Sequence, residues 1–185
     1  MDGNTVALLV AAVGVLGTLS SPVISQRLSA RTKREEAAMQ RADAEAVREQ
    51  ARREAVVAER KAAYIAFNAA SRRYRVEMMN YLHAVDAELA GDLDRAELRE
   101  ARRTYSACFA EVQILATDEV LASIEEISGR LSRAYLAIKR LENGAPDPGW
   151  SFDETRGFLI GAWDHWLAMR QVMRAELGLD ERPLL

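Results

Sequence analysis

The side chains that most often carry out chemistry in proteins are few in this chain. Neither His83 nor His165 has a carboxylate three residues before it, so the Glu-x-x-His pattern of di-iron bundles is absent. A single cysteine, Cys108, excludes paired-cysteine metal sites and intramolecular disulfides. We interpret the histidines as structural and Cys108 as a small buried apolar residue. The sequence therefore predicts no catalytic residue, no cofactor and no metal site.

Other signatures of enzymes and nucleic-acid binders are also missing. The chain has no glycine-rich phosphate loop and no HExxH pair. Residues 62–185 hold fifteen Lys and Arg against twenty Asp and Glu. This acidic balance disfavours binding to the phosphate backbone of a nucleic acid. We expect a non-catalytic protein with no small-molecule substrate and no nucleic-acid partner. An enzyme with a pocket inside the bundle would need polar groups buried around Tyr74, Tyr105 and Tyr135.

Aromatic residues cluster between positions 150 and 166, and two of them fall outside the expected core. Trp150 lies in a loop and Phe158 lies off the inward face of its helix, so the pair is a candidate surface for a protein partner. Core packing is the competing and favoured interpretation of the group. On that interpretation Trp163 is buried, and Trp163→Ala costs about 3–5 kcal/mol.

The element that would position everything else is the N-terminal segment. Residues 3–26 carry no charge and are apolar on every side. At about 1.5 Å per residue they span roughly 36 Å as a helix, enough for a hydrocarbon core about 30 Å thick. We expect a transmembrane anchor over residues 1–26. A core helix of a bundle is the alternative, because Ala and Gly dilute the hydrophobicity and Pro22 would kink the last turn.

Charges beside this segment predict its orientation. Four cations follow it, against Asp2 alone before it; they are Arg27, Arg31, Lys33 and Arg34. Cationic flanks stay on the cytoplasmic side, so we expect an inner-membrane, single-pass protein with its N-terminus outside and its C-terminal domain in the cytoplasm. The same cations could contact anionic lipid headgroups.

Small residues share one face of the anchor and could let two spans pack closely in lipid. They are Ala7, Ala11, Gly14, Gly17 and Thr18. The competing interpretation is that they are filler in an alanine-rich chain.

Residues 27–55 are almost entirely Arg, Glu, Ala and Gln, which favour helix. No sustained heptad runs through them, so we predict a solvated helical stalk rather than a strict coiled coil.

Residues 56–178 are expected to form an antiparallel up-down four-helix bundle, followed by a tail over 179–185. Apolar stripes at three- and four-residue steps indicate the helices. Gly91-Asp92 is expected to end the first, with Asp92 or Asp94 capping the second; Thr117 would cap the third, and Ser151 with Glu154 the fourth. Gly178 would end the last helix. The first stripe comprises Ala63, Phe67, Ala70, Tyr74, Met78, Tyr81, Val85 and Leu89.

The layout resembles small single-pass membrane proteins of actinobacteria. Three lysines against twenty-two arginines fit such a genome. The resemblance implies an N-terminal span and a cytoplasmic helical bundle, and it carries over no functional residue. Its segments are Val-Ala-Leu-Leu-Val at 6–10, Gln-Arg-Leu at 26–28, Glu-Arg-Lys-Ala-Ala-Tyr-Ile-Ala-Phe at 59–67, Tyr-Arg at 74–75 and Leu-Ala-Thr-Asp-Glu-Val at 115–120.

The sequence thus favours a membrane-anchored bundle that binds a protein partner or itself and acts as an interaction or scaffold module. The alternative is a membrane-active effector, pore-forming or defence-type, whose spans oligomerise through the small-residue face.

Overall fold

The computed structural model describes the backbone of residues 3–179 and the side chains of residue 31 and residues 33–179. Over this part the chain is all-α, with no strand, and its helices are α1 (Gly3–Asp86), α2 (Asp92–Leu115), α3 (Asp118–Glu142) and α4 (Phe152–Glu176). The all-α prediction is confirmed. The chain divides into two compact units, Met1–Glu54 and Ala55–Leu185.

The first unit is helical wherever its backbone is described. From residue 33 to residue 54 its side chains are exposed, apart from the half-buried Ala37. Exposed pairs one turn apart decorate it, such as Arg53 Nε to Glu49 Oε1 at 3.1 Å. Each such pair adds only about 0.2–0.5 kcal/mol.

Within the described residues, no helix combines the length and the apolar character that crossing a membrane requires. The side chains of the predicted span, residues 1–26, lie outside the described set, and so do those of its small-residue face and of Arg27.

In the second unit, α1 runs antiparallel to both α2 and α4. Arg60, early in this part of α1, contacts Glu176 at the end of α4. His83, near the end of α1, lies edge-on to Phe152 at the start of α4, with ring centroids 5.3 Å apart. Towards α2, the ring centroids of Phe67 and Phe109 are 6.2 Å apart, while Tyr81 lies beside Arg95.

The remaining pairs are antiparallel as well. Arg95 near the start of α2 binds Glu142 at the end of α3, and Tyr105 hydrogen-bonds with Ser128 further back on α3. Glu126 of α3 contacts His165 of α4. Arg130, which follows Glu126 on α3, covers Phe158, which precedes His165 on α4, so these two helices also run in opposite directions. The four helices therefore form an up-down bundle in which α1 packs against α2 and α4, and α3 also packs against α2 and α4.

The core follows most of the predicted stripe positions, but two residues expected in it are exposed and Cys108 is only half-buried. Leu89, which was expected at the end of the first stripe, is 77% exposed, because α1 ends three residues before it. Trp163 is 37% exposed at the edge of α4 rather than buried. The largest side chains buried completely are Tyr81, Phe67, Met78, Leu82, Ile124, Ile127, Leu131, Ile138, Leu159 and Met169.

Three helices end in the same way, with a left-handed residue and a hydrogen bond back over five residues. The left-handed residues are Glu88 after α1, Gly144 after α3 and Gly178 after α4, with φ values of 58°, 67° and 66°. The following amides donate to carbonyls five residues back, Leu89 N to Ala84 O, Ala145 N to Arg140 O and Leu179 N to Arg174 O. The prediction for Gly178 is thus correct, whereas Glu88, not Gly91, turns the chain after α1.

The start of α4 matches its sequence signal, whereas those of α2 and α3 match theirs only in part. Ser151 and Glu154 form the predicted capping box, since the Ser151 amide donates to Glu154 Oε2 at 2.8 Å and the Glu154 amide to Ser151 Oγ at 3.4 Å. At α2 the residue before the helix is Gly91, whose amide donates to Asp94 Oδ2 at 2.8 Å. Thr117 precedes α3, but its side chain makes no capping bond.

Candidate functional site

A concave feature of the second unit is a groove between α1 and α4, which we call the α1–α4 groove. Its volume is about 500 Å³, within the range of protein binding pockets. Its lining residues are Asn68, Ala69, Arg72, Arg73 and Val76 of α1 and Trp166 and Arg170 of α4.

Helical spacing brings these side chains together. Residues 68, 72 and 76 are four apart on α1, as are residues 69 and 73, and residues 166 and 170 are four apart on α4. Val76 is half exposed, and Ile65, one turn before Ala69, is 60% exposed. The groove therefore combines apolar side chains with guanidinium groups.

The positive charge of the groove is not neutralised by neighbouring carboxylates. Among the described residues, no Asp or Glu forms an ion pair with Arg72, Arg73 or Arg170. Some arginines elsewhere in this unit are paired: Arg60 Nη1 lies 2.6 Å from Glu176 Oε1, and Arg95 Nε lies 2.8 Å from Glu142 Oε1. Charges left without partners beside apolar side chains indicate a surface for an anionic ligand.

Arginines also cover the tryptophans of α4. The guanidinium of Arg75 lies 5.3 Å from the Trp163 ring, and that of Arg170 lies 4.7 Å from the Trp166 ring, while the two indoles stack at 4.5 Å. Burial lowers the pKa of Arg75, and the neighbouring charge of Arg72 lowers it further. A bound anion would relieve this repulsion between like charges.

Two buried polar atoms at the groove lack a hydrogen-bond partner within the described part of the chain. They are Nε1 of Trp166, a residue 7% exposed, and Oδ1 of Asn68. Buried polar atoms are almost always hydrogen-bonded, and four other such atoms occur elsewhere in the described residues, so these two alone do not identify a ligand. Behind the groove, Ser71 Oγ donates to the Phe67 carbonyl at 2.7 Å and is satisfied.

Trp150 and Phe158, the candidate partner surface, lie on the α3 side of α4 and not at the groove. Their rings meet edge to face at 5.0 Å, and both are half-buried. Arg130 and Arg133 lie over the Phe158 ring at 4.7 and 5.6 Å. Much of the aromatic surface is therefore covered within the bundle, and its role in partner binding stays a prediction.

The histidines and the cysteine are not brought together. His83 is exposed beside Phe152, while Nδ1 of His165 lies 2.6 Å from Glu126 Oε1. Cys108 is half-buried against the core, and burial, with a contribution from Glu111, raises the pKa of its thiol. Within the described residues no three His, Cys, Asp or Glu side chains are grouped to hold a metal ion.

The three tyrosines named in the sequence analysis pack as rings. Tyr74 stacks on Tyr105 at 5.2 Å and lies 6.5 Å from Tyr135. Burial raises the pKa of Tyr105 to about 12, an effect its hydrogen bond with Ser128 opposes, and burial also raises the pKa of Tyr74. The hydroxyls of Tyr74 and Tyr105 are thus poor proton donors near neutrality, as expected of packing residues.

A polar network joins α1, α2 and α3 at the end of the bundle opposite Glu176. Arg95 and Lys139 both donate to Glu142, whose side chain is 13% exposed. Burial raises the pKa of Glu142, but the hydrogen bonds from Lys139 and Arg95, with the nearby Tyr81 hydroxyl, outweigh burial and hold the pKa at about 2. All its charges are paired, so we interpret this network as structural.

Of the predicted juxtamembrane cations, three have described side chains. Arg31 Nε lies 3.0 Å from Glu35 Oε1, and Lys33 and Arg34 are exposed.

The groove arginines were missed in the sequence because they lie off the apolar stripes. A signal was present: Arg72 and Arg170 have no acidic residue three or four positions away on their helices. Such arginines cannot be neutralised within their own helix.

Comparisons of the chain with models of protein families, with curated proteins and with solved structures find no match. The site is therefore interpreted from its own chemistry.

Proposed function

We propose that this chain is a membrane-anchored, non-catalytic interaction module whose bundle binds a protein through the α1–α4 groove. One observation carries the proposal. Arg72, Arg73 and Arg170 converge on one groove beside Trp166 and form no ion pair among the described residues, whereas Arg60 and Arg95 of the same unit do. Guanidinium groups beside Trp166 and exposed apolar side chains have the composition of a protein-binding surface.

The membrane part of the proposal is supported by the sequence. Residues 3–26 carry no charge, and cations follow them while only Asp2 precedes them. On the positive-inside rule the anchor would leave the bundle in the cytoplasm, at the inner membrane. The resemblance to actinobacterial single-pass proteins points the same way.

A photo-crosslinking amino acid at Val76 tests the binding surface in cells. Val76 lines the groove and is half exposed, so the probe would contact a bound protein without disturbing the core. We expect a covalent protein adduct on irradiation. The control places the same probe at Leu136 on α3, which is 56% exposed and outside the groove. Equal adducts at both positions, or none at Val76, would contradict the proposal.

A further inference from the structure

The turn between α1 and α2 has a chemistry opposite to that of the groove. Residues 86–94 contain four acidic residues and no Lys or Arg. Two of the acidic residues, Asp86 and Glu88, are exposed and have no ion pair among the described residues. We call residues 86–94 the acidic turn.

The acidic turn also exposes two large apolar side chains. Leu89 is 77% exposed and Leu93 is 71% exposed. After a helix end of this type, the apolar residue at the position of Leu89 usually packs back on its own helix. Here it does not, so Leu89 is left to solvent beside the carboxylates.

We propose that the acidic turn of a second copy of this chain occupies the α1–α4 groove. The inference rests on the proposed function, because it takes the groove to be a protein-binding surface. Carboxylates of Asp86 and Glu88 would meet the guanidinium groups of the groove, and Leu89 would cover its apolar residues.

The contact must form between molecules. The acidic turn begins at the end of α1, ten residues after Val76, or about 15 Å along the helix. A rigid helix keeps the turn of one molecule out of its own groove. Because the two surfaces differ, the contact is head-to-tail and builds a ring or an open chain of molecules.

Charge reversal with rescue tests the pairing on the full-length chain in mild detergent. The groove variant is Arg72→Glu/Arg73→Glu, and the turn variant is Asp86→Lys/Glu88→Lys. Self-association is measured by sedimentation velocity over a range of protein concentrations. We expect each variant alone to dissociate at about tenfold or higher concentration than the wild type.

The decisive sample carries all four substitutions in one chain. Its negative groove and positive turn are again complementary, so we expect self-association near the wild-type concentration. A fourfold variant that stays as dissociated as either double variant would overturn the proposal, as would double variants that associate normally. The N-terminal residues are unchanged in every sample, so association through the small-residue face contributes equally to all of them.

A second acidic and apolar segment supplies a matched control. Ile114 is 83% exposed and Glu111 lies one turn before it on α2. Glu111→Lys/Ile114→Ser should leave self-association unchanged, whereas Leu89→Ser/Leu93→Ser should weaken it. If only Glu111→Lys/Ile114→Ser lost self-association, our assignment of the contact to the acidic turn would be overturned. Thermal unfolding of each variant checks that the bundle is folded.

The outcomes separate the two proposals. If the Val76 probe captures a different protein and charge reversal leaves sedimentation unchanged, the interaction module stands and the second copy is excluded. If the Val76 probe captures nothing and sedimentation is unchanged, both fail.

Discussion

Glu142 shows how a single carboxylate ties three helices together. It accepts hydrogen bonds from Lys139 of its own helix and from Arg95 of α2, and it lies beside the Tyr81 hydroxyl of α1. Its pKa of about 2, against an ordinary value of 4.5, reflects donors that stabilise the ionised form.

This depressed pKa makes part of the stability depend on pH. The folded carboxylate binds its proton less readily than the unfolded one, so its stabilising contribution is complete above pH 4.5 and is lost as pH falls towards 2. We expect Glu142→Gln to lower the free energy of unfolding by about 1–3 kcal/mol at neutral pH. Urea titrations from pH 7 to pH 2.5 should show the difference shrinking on the acid side. Glu125→Gln, at an exposed position of the same helix, is the control; an equal loss in both would contradict this assignment.

Trp163 was expected in the core and instead lies at the edge of the bundle. Trp163 stacks on Trp166 and lies beneath Arg75, and 37% of its surface is exposed to solvent. We therefore expect Trp163→Ala to cost only about 1–2 kcal/mol, since part of its apolar surface is never removed from water. Leu159→Ala, at a fully buried position of the same helix, should cost about 2–5 kcal/mol. Chemical denaturation measures the free energy of unfolding of both variants. A larger loss for Trp163→Ala than for Leu159→Ala would show that Trp163 acts as a core residue.

At the scale of the element, helix ends show where local signals suffice. Ser151 and Glu154 bond each other's backbone as the sequence predicts, because a capping box is complete within four residues. The end of α1 was not predicted correctly. The prediction placed it at Gly91, but Glu88 is the residue that adopts the left-handed conformation. Glutamate is an unusual residue there, and glycine serves the same role after α3 and α4.

Glu88→Gly tests this strain. A residue with a side chain pays about 1 kcal/mol or more for a left-handed conformation that glycine adopts freely. We expect the substitution to raise the stability of the bundle slightly, by up to about 1 kcal/mol, measured as the midpoint of thermal unfolding. Gly144→Ala, at the equivalent position after α3, should do the opposite by a similar amount. A destabilising Glu88→Gly would show that the glutamate side chain contributes something the backbone geometry does not reveal.

At the scale of the whole molecule, the proposed assembly depends on where the N-terminal segment resides. We expect the full-length chain to sediment with membranes and to be released by detergent, because residues 3–26 are uncharged. A reporter fused to the C-terminus should be active only in its cytoplasmic form. Full-length protein that stays in the supernatant after ultracentrifugation would refute the anchor. The effector alternative predicts growth arrest and depolarisation on induction, and harmless overexpression would count against it.

The sequence by itself determined the helical class, most helix boundaries and the buried stripes of the bundle. Those features depend on residue propensity, caps and periodicity, which act within a few positions along the chain. Only the tertiary structure revealed the α1–α4 groove, since Arg72 and Arg170 are almost a hundred residues apart and meet because α1 packs against α4. Whether a charge is neutralised is likewise decided between helices: Arg60 finds Glu176 across the bundle, and Arg72 finds no carboxylate among the described residues.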